Sequence, residues 1–192
     1  HFHDHHDGDK FSANFINTYI FSMDHKIIAK QFLITGMFWA IIGALMSLVF
    51  RLQLGFPEAD MVWLKPILGK WITVNAEGIG ALSNQFYYAL VTMHGTIIVF
   101  FVLTAGLSGT FSNLLIPLQI GARDMASPLL NMLSYWFFFL AGALMFYSLF
   151  LSTGPFSGGW TAYPPLSVLP QASDGSGAGM TFWTLSLVFF VV

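Results

Sequence analysis

One histidine of this chain lies deep inside a long apolar segment. His94 occurs in the stretch VTMHGTIIVFF, about nine residues after Gln85, where that segment begins. An ionisable side chain at that depth in a bilayer is costly, and the usual compensation is a hydrogen-bonding partner or a ligand. Neutral imidazole is a common axial ligand of heme iron. Gly95 removes a side chain beside it, which predicts room for a flat macrocycle against the backbone.

Three interpretations of His94 stay open from the residues alone: a bond to a carbonyl of a neighbouring helix, a heme ligand, or a proton relay. A heme held by two imidazoles needs a second histidine. His25 is predicted at the opposite membrane face, and the others lie in the N-terminal tail (His1, His3, His5 and His6). None of these can reach His94 through a rigid span, so a second ligand is expected beyond Val192 or on another subunit.

A carboxylate stands between two apolar segments. Asp124 occurs in GARDMASP and could cap the helix that follows, because anions are stabilised at helix N-termini. It could equally form the mouth of a proton path, since the flanking amides of Asn113 and Asn131 can hold a chain of waters. The local sequence favours the cap.

Further polar and aromatic residues lie at the expected membrane faces. Arg51 ends the first apolar segment, and it is either a snorkelling anchor or a donor to the polar edge of a cofactor. Trp160 and Tyr163 belong to the loop motif GWTAYPP, where an interfacial aromatic belt is the ordinary interpretation.

The elements that position these residues are membrane helices. Only 8% of the 192 residues are charged and 56% are apolar, whereas a soluble domain carries about 25% charged residues. Three stretches carry no charge at all: 31–50, 78–122 and 125–173. About twenty apolar residues suffice to cross the hydrocarbon layer. The composition therefore predicts an all-α integral membrane protein and excludes a soluble enzyme, a nucleic-acid binder and a disordered tail. Without cysteine, the chain forms no disulfide and no thiolate metal site.

The sequence predicts a polar His-rich tail at 1–10, an interfacial amphipathic helix at 11–26 and a membrane region at 27–192. The spans are expected at about 27–50, 85–112, 129–151 and 180–192, with a water-exposed loop over 52–84. The last span has only thirteen residues, too few to cross, which predicts a piece of a longer protein. The distribution of Lys and Arg weakly favours a cytoplasmic N-terminus.

Together these motifs resemble subunit I of the heme–copper respiratory oxidases, the catalytic subunit of cytochrome c oxidase. The segments that carry the resemblance are FSMDHK (21–26), TMHGTIIVFF (92–101), NLLIPLQIGARDMASP (113–128), NMLSYW (131–136) and GWTAYPPL (159–166). They occur in the family's order and at nearly its spacing, over about residues 15–192. The resemblance implies a bundle of twelve transmembrane helices, of which this chain would be the first three and a half.

The resemblance also implies roles for individual residues. His94 becomes one of two axial ligands of a low-spin heme, expected to be of the heme a type, and Arg51 lies beside the formyl or equivalent edge of that heme. Trp160 and Tyr163 fall near the heme propionates. A second set matches the cytoplasmic entrance of a proton path: Asp124 at the mouth, with Asn113 and Asn131 just inside.

Two positions depart from the family's pattern. Phe32 stands where a tyrosine often lies near the proton entrance, and Gln53 stands where some members carry a carboxylate for a structural cation. The high-spin heme, the copper and all the ligands of the oxygen-reducing centre are expected beyond Val192. No catalytic residue is therefore expected within this chain.

The implied activity is transfer of electrons from cytochrome c, or a tethered cytochrome domain, through low-spin heme to a heme–copper centre that reduces dioxygen to water and pumps protons. Implied partners are subunit II with its copper centre, subunit III and membrane lipid, with no nucleic acid. The expected location is a bacterial plasma membrane.

Three other functions compete with this one. A quinol oxidase of the same superfamily would need polar quinol-binding groups at four positions that are apolar here: Ile42, Met46, Phe86 and Ala89. A proton-coupled transporter without a cofactor would use His94 and Asp124 as a relay. A subunit that holds heme without catalysing a reaction is the third.

Overall fold

The computed structural model describes residues 15–76, 78–169 and 177–191, so the predicted tail at 1–10 lies outside the described residues. Four apolar helices dominate the described part of the chain: α1 (His25–Gly55), α2 (Asn84–Ile120), α3 (Pro128–Ser148) and α4 (Ala178–Val191). The first three are long and apolar enough to cross a membrane, and α4 is shorter. The predicted all-α membrane class is confirmed.

The start of α1 corrects the prediction of an interfacial helix over 11–26. Within the described residues that stretch forms only a short π-helical turn, Ile16–Ile20. Asp24 is the N-cap of α1, and its carboxylate accepts the backbone N–H of Lys26 at 2.8 Å. This cap satisfies one of the unpaired N–H groups of a helix start, so His25 begins α1. At its other end α1 runs to Gly55, which places Arg51 inside the helix.

α2 is one 37-residue helix with two hydrogen-bonding registers. Asn84–Thr96 and Thr110–Ile120 are α-helical, and Ile97–Gly109 between them is π-helical. The Thr104 hydroxyl donates to the carbonyl of Val99, five residues back, which follows the same wider register. π segments are rare and occur mostly as single turns, so a run of 13 residues is unusual.

The predicted break at 113–128 is wrong over its first half, because α2 continues to Ile120. Pro117 lies inside the last turns of the helix. A proline removes one backbone donor but is tolerated in membrane helices, where local adjustments satisfy the freed groups. The stop comes at Gly121, whose φ of +69° is left-handed, and Ala122 N–H closes the end on the carbonyl of Pro117 at 2.9 Å.

Glycines let α1 and α2 approach each other closely. A Cβ added at Gly36 would lie 2.6 Å from Cα of Gly106, and one at Gly43 would lie 2.8 Å from Cδ1 of Ile98. Small residues at such crossings are the usual means of packing membrane helices, since van der Waals contact replaces the hydrophobic driving force. α1 therefore lies directly against the π-helical segment of α2.

The main core joins all four helices and the loop after α3. Its buried side chains are mostly aromatic or large aliphatic: Ile28, Phe32, Trp39, Met93, Ile97, Phe101, Tyr135, Phe138, Ala141, Met145, Phe156 and Trp183. Phe156, from the loop, lies with its ring centre 4.9 Å from that of Trp183 on α4. That contact holds the loop against the helix bundle.

The predicted loop over 52–84 contains a small folded cap. Strands β1 (Ile72–Val74) and β2 (Gly80–Leu82) pair antiparallel, with Ile72 opposite Leu82. The Asp60 carboxylate accepts the N–H groups of Val62 and Gly80, each at 2.9 Å, and these bonds hold the pKa of Asp60 below its ordinary value. Gln53 Oε1 accepts the N–H of Leu82 at 2.9 Å and ties the hairpin to α1.

Candidate functional site

The imidazole of His94 is oriented by the backbone of α1. Nδ1 of His94 lies 2.8 Å from the carbonyl oxygen of Gly43. A carbonyl only accepts, so Nδ1 carries the proton and Nε2 keeps its lone pair. Within the described residues no group hydrogen-bonds Nε2, and the side chain is half-buried. The Phe50 ring packs nearly perpendicular to the imidazole, with ring centres 5.5 Å apart.

This arrangement is compatible with two of the interpretations of His94 at once, the bond to a neighbouring helix and the heme ligand. The bond to a neighbouring helix exists, and it is also the contact that fixes the tautomer of a metal-binding histidine. With Nδ1–H engaged by a carbonyl, the nitrogen that can bind iron is Nε2. The residues present thus fit an axial heme ligand.

The space beside Gly95 corrects a second expectation. A Cβ added at Gly95 would lie 3.3 Å from Cδ1 of Trp160, so the indole of the GWTAYPP loop covers this position. Trp160 is 46% exposed and also lies against Phe100. The missing side chain leaves room for a tryptophan of the same chain, which fills this place in the structure.

The loop and α4 both bond to the helix that carries His94. The backbone N–H of Gly159 donates to the hydroxyl of Thr92 at 3.0 Å. The indole Nε1 of Trp183 donates to the hydroxyl of Thr96, also at 3.0 Å, and that hydroxyl donates to the carbonyl of Thr92. Trp160 is therefore positioned one residue after a fixed backbone contact.

Arg51 and Tyr163 are not brought into contact with His94. Arg51 is exposed and makes no hydrogen bond or ion pair within the described part of the chain, although its neighbour Phe50 packs on the imidazole. Tyr163 is 71% exposed. Of the three residues predicted to lie with His94 around a heme, Trp160 is the one that the structure places against its helix neighbour Gly95.

The opposite end of the bundle assembles a different group around Asp124. Its Oδ1 accepts the N–H of Met125 at 2.8 Å and lies 3.3 Å from Nδ1 of His25. The cap position of α3 belongs to Ser127, so the prediction that Asp124 caps this helix is wrong. The intervening residues carry the carboxylate away from the helix start and toward α1.

His25 is the residue of this group that sequence reasoning did not assign a role. Its side chain is 4% exposed and lies between Asp124 and Asp24, with Nδ1 3.7 Å from the latter carboxylate. Neither ring nitrogen makes a well-directed hydrogen bond with the protein. The signal was available, because the predicted topology puts the start of α1 and the connection before α3 at one membrane face.

The two asparagines near Asp124 each leave a buried polar atom without a protein partner. Asn113 donates through Nδ2 to the carbonyl of Gly109 at 2.8 Å, but its Oδ1 has no partner. Nδ2 of Asn131 is equally unpaired. Buried polar atoms are nearly always hydrogen-bonded, to water where protein offers nothing. The amides are thus suited to ordering water near this end of the bundle.

A hydroxyl pair lies near the position of Phe32. The Tyr135 hydroxyl on α3 is 3.1 Å from the hydroxyl of Thr35 on α1, and the Phe32 ring packs edge-on against Tyr135 at 5.3 Å. Phe32 itself is buried in the aromatic core.

A cavity of about 490 Å³ lies between the ends of α1 and α3, the start of α2 and the folded cap. Its walls include Met46, Phe86 and Ala89, three of the positions where a quinol oxidase would carry polar groups. Lys70 reaches the cavity, but its ammonium bonds the carbonyl of Ser152 and lies 4.6 Å from the Trp71 ring. The lining is otherwise mostly apolar.

The fold and these two sites define a multi-pass helical membrane protein with a half-buried histidine bonded to a backbone carbonyl at one end and a carboxylate that contacts a buried histidine at the other. Residues 27–192 match the family model described as "Cytochrome C and Quinol oxidase polypeptide I". The chain belongs to this family.

Named relatives agree with the family match. The chain is 38% identical to the alternative cytochrome c oxidase subunit 1 of Bradyrhizobium diazoefficiens, over 91% of this chain and 26% of that protein. It is 39% identical to cytochrome c oxidase subunit 1 of Alkalihalophilus pseudofirmus, over 86% and 22%. It is 33% identical to the heme-copper oxidase subunit I+III of Aeropyrum pernix, over 90% and 18%. The chain thus spans about a quarter or less of the length of these relatives.

Proposed function

We propose that this chain is the N-terminal part of the catalytic subunit of a proton-pumping terminal oxidase, which passes electrons through low-spin heme to a heme–copper centre and reduces dioxygen to water. The observation that carries the proposal is the His94 imidazole, with Nδ1–H held by Gly43 and Nε2 free, in a chain of the oxidase family. The high-spin heme and copper belong to parts of the full-length subunit outside this chain.

His94 is proposed as one axial ligand of the low-spin heme iron, through Nε2. When bound, this heme supplies a one-electron redox centre. The protein's contribution is orientation: the Gly43 carbonyl fixes the tautomer of the ligand, and the Phe50 ring restricts rotation of the imidazole.

Arg51, Trp160 and Tyr163 are proposed to meet the edges of the same heme. Arg51 is free of protein partners within the described residues, so its guanidinium is available to a formyl or other polar substituent. Trp160 and Tyr163 belong to the loop that bonds Thr92, and Trp160 covers Gly95, the residue after His94. Both are proposed to lie near the propionates. A heme of the a type accounts for the arginine at a formyl edge.

Asp124 is proposed to be the entrance of the proton-input path. The carboxylate is partly exposed, contacts the buried His25 and leaves the start of α3 uncapped, which supports proton collection over helix capping. Asn113 and Asn131, with their unpaired amide atoms, are proposed to order the waters just inside. The N-terminal side is then cytoplasmic, in a bacterial plasma membrane.

Cytochrome c, or a tethered cytochrome domain, is proposed as the electron donor, with subunit II and its copper centre, subunit III and lipid as partners. The quinol oxidase alternative is disfavoured by the apolar cavity walls at Met46, Phe86 and Ala89. Lys70 is the cation there, and Ser152 and Trp71 already engage it.

The test is His94→Ala in the full-length enzyme, with optical and paramagnetic resonance spectra of the low-spin heme. We expect the low-spin signal to disappear while the other subunits still assemble. Thr104→Ala, an exposed position ten residues further along α2, serves as the control. A His94→Ala enzyme with normal heme content and a normal low-spin spectrum would refute the proposal that His94 is a ligand of this heme. Wild-type protein without any heme would favour the cofactor-free transporter.

A further inference from the structure

Two threonines lie on the face of α2 opposite His94. Thr92 and Thr96 stand two residues before and two after the histidine, and at about 100° per residue this places both on the far side of the helix. Thr92 is 3% exposed and Thr96 is fully buried. Their hydroxyls therefore face other protein elements and not the Gly43 carbonyl.

Thr96 connects α2 to α4 through a buried hydrogen bond between two side chains. Its hydroxyl accepts the indole N–H of Trp183 at 3.0 Å and donates to the carbonyl of Thr92 at 2.9 Å. Trp183 is 5% exposed and packs on Phe156. Because water cannot reach the pair, loss of either member leaves the other without a replacement partner.

The two contacts around His94 oppose each other. On one side the imidazole is bonded to the Gly43 carbonyl of α1, and on the other the Thr96 hydroxyl accepts the indole N–H of Trp183 on α4. The change from α-helical to π-helical register begins at Ile97, immediately after Thr96. A rotation of this segment about its axis would turn the imidazole, and the Trp183 bond opposes that rotation.

We propose that Thr96 and Trp183 are positioning residues that set the orientation of the His94 imidazole plane and thereby the ligand field of the low-spin heme iron. The inference rests on the proposed function, in which Nε2 of His94 binds that iron. Thr96 and Trp183 act through the helix, and neither is proposed to touch the heme.

The experiment uses the full-length oxidase with its hemes bound and compares Thr96→Val with Thr96→Ser. Valine keeps the shape of the side chain and removes the hydroxyl, whereas serine keeps the hydroxyl. We expect Thr96→Val to shift or broaden the low-spin g-values and to shift the midpoint potential of that heme, at unchanged heme content. We expect Thr96→Ser to keep the wild-type g-values and midpoint potential.

Ser186→Ala is the matched control. Ser186 is a fully buried hydroxyl on α4, but its hydrogen bond is donated to the carbonyl of Ala141 on α3 at 2.7 Å and not to α2. Its loss should leave the g-values unchanged. Equal shifts in Thr96→Val and Ser186→Ala would show a general packing effect and overturn the inference, as would wild-type g-values in Thr96→Val.

A second variant covers a failure of Thr96→Val to assemble. Trp183→Phe removes the indole donor while the Thr96 hydroxyl can still donate to Thr92, and it should shift the g-values as well. Loss of heme from both variants would assign the pair a role in stability alone. The His94→Ala result separates the two proposals: if it retains the low-spin heme, the proposed function fails, and if it loses that heme while the Thr96 and Trp183 variants match wild type, only this inference fails.

Discussion

The polar groups near the two ends of α2 differ in how completely they are hydrogen-bonded within the protein. Near His94 the hydroxyls and ring N–H groups are paired: His94 with Gly43, Thr92 with Gly159 and Thr96 with Trp183. Near Asp124 they are not, since His25 and the amides of Asn113 and Asn131 carry buried polar atoms without a protein partner. We refer to these regions as the paired end and the unpaired end.

The difference matches what each end is proposed to do. An axial ligand must hold one geometry, and complete hydrogen bonding inside a protein of low dielectric fixes that geometry. A proton entrance needs donors and acceptors that can exchange partners with water, and an amide already bonded on every atom cannot do so. The unsatisfied atoms therefore support the assignment of the unpaired end to proton transfer.

The largest expected effect is on turnover at the unpaired end. Asp124→Asn removes the charge almost without change of shape, and we expect oxygen reduction and proton uptake in reconstituted vesicles to slow by a factor on the order of ten to a hundred. Heme spectra and thermal stability should stay normal. Asp24→Asn is the control, because asparagine still caps α1 and the side chain also lies near His25. Normal turnover and proton release in Asp124→Asn would assign this residue a structural role.

At the paired end the expected effect is on stability. Thr92→Val leaves the backbone N–H of Gly159 without its acceptor, which should lower the free energy of unfolding by about 1–3 kcal/mol. The comparison is Asn131→Leu at the unpaired end, which removes a polar atom that has no protein partner. Its free energy of unfolding should stay within about 0.5 kcal/mol of the wild-type value. Thermal unfolding in detergent measures both, and equal losses would remove the distinction between the two ends.

Arg51 is the exception at the paired end, because no described residue bonds it. Arg51→Met should shift the visible absorption band and the potential of the low-spin heme without loss of the heme. Lys30→Met, an exposed cation nearer the other end of α1, should change neither. An unchanged band in Arg51→Met would leave Arg51 as a membrane-interface anchor.

The smallest effect concerns the folded cap of the 52–84 loop. The pKa of Asp60 is lowered by the N–H groups of Gly80 and Val62, so its contribution to stability is present above the ordinary value of 3.8 and is lost as the pH falls through the lowered pKa. Asp60→Asn should remove that pH dependence. Hydrogen exchange at the Gly80 amide measures it, and an identical pH profile in both proteins would contradict the assignment.

Much of the fold could be predicted from charge-free segments alone, because a bilayer imposes helices on any long apolar stretch. The continuation of α2 through Pro117 could not, since proline breaks helices by a local rule that membrane packing overrides. The contact of Trp160 with Gly95 and that of His25 with Asp124 join residues far apart in sequence. Spacing along the chain carries no information about such contacts until the helices have been placed.

The π-helical segment gives α2 a property that neither of its α-helical ends has. A wider register advances the helix by a smaller angle per residue, so the 13 residues from Ile97 to Gly109 set the angular phase between His94 and Asn113. That phase decides whether the histidine proposed to bind heme and the amide proposed to order water face the same partner helices. Deleting one residue there would shorten the segment between the two ends and leave the sequence of each end unchanged. It would nevertheless rotate one functional end of the helix relative to the other.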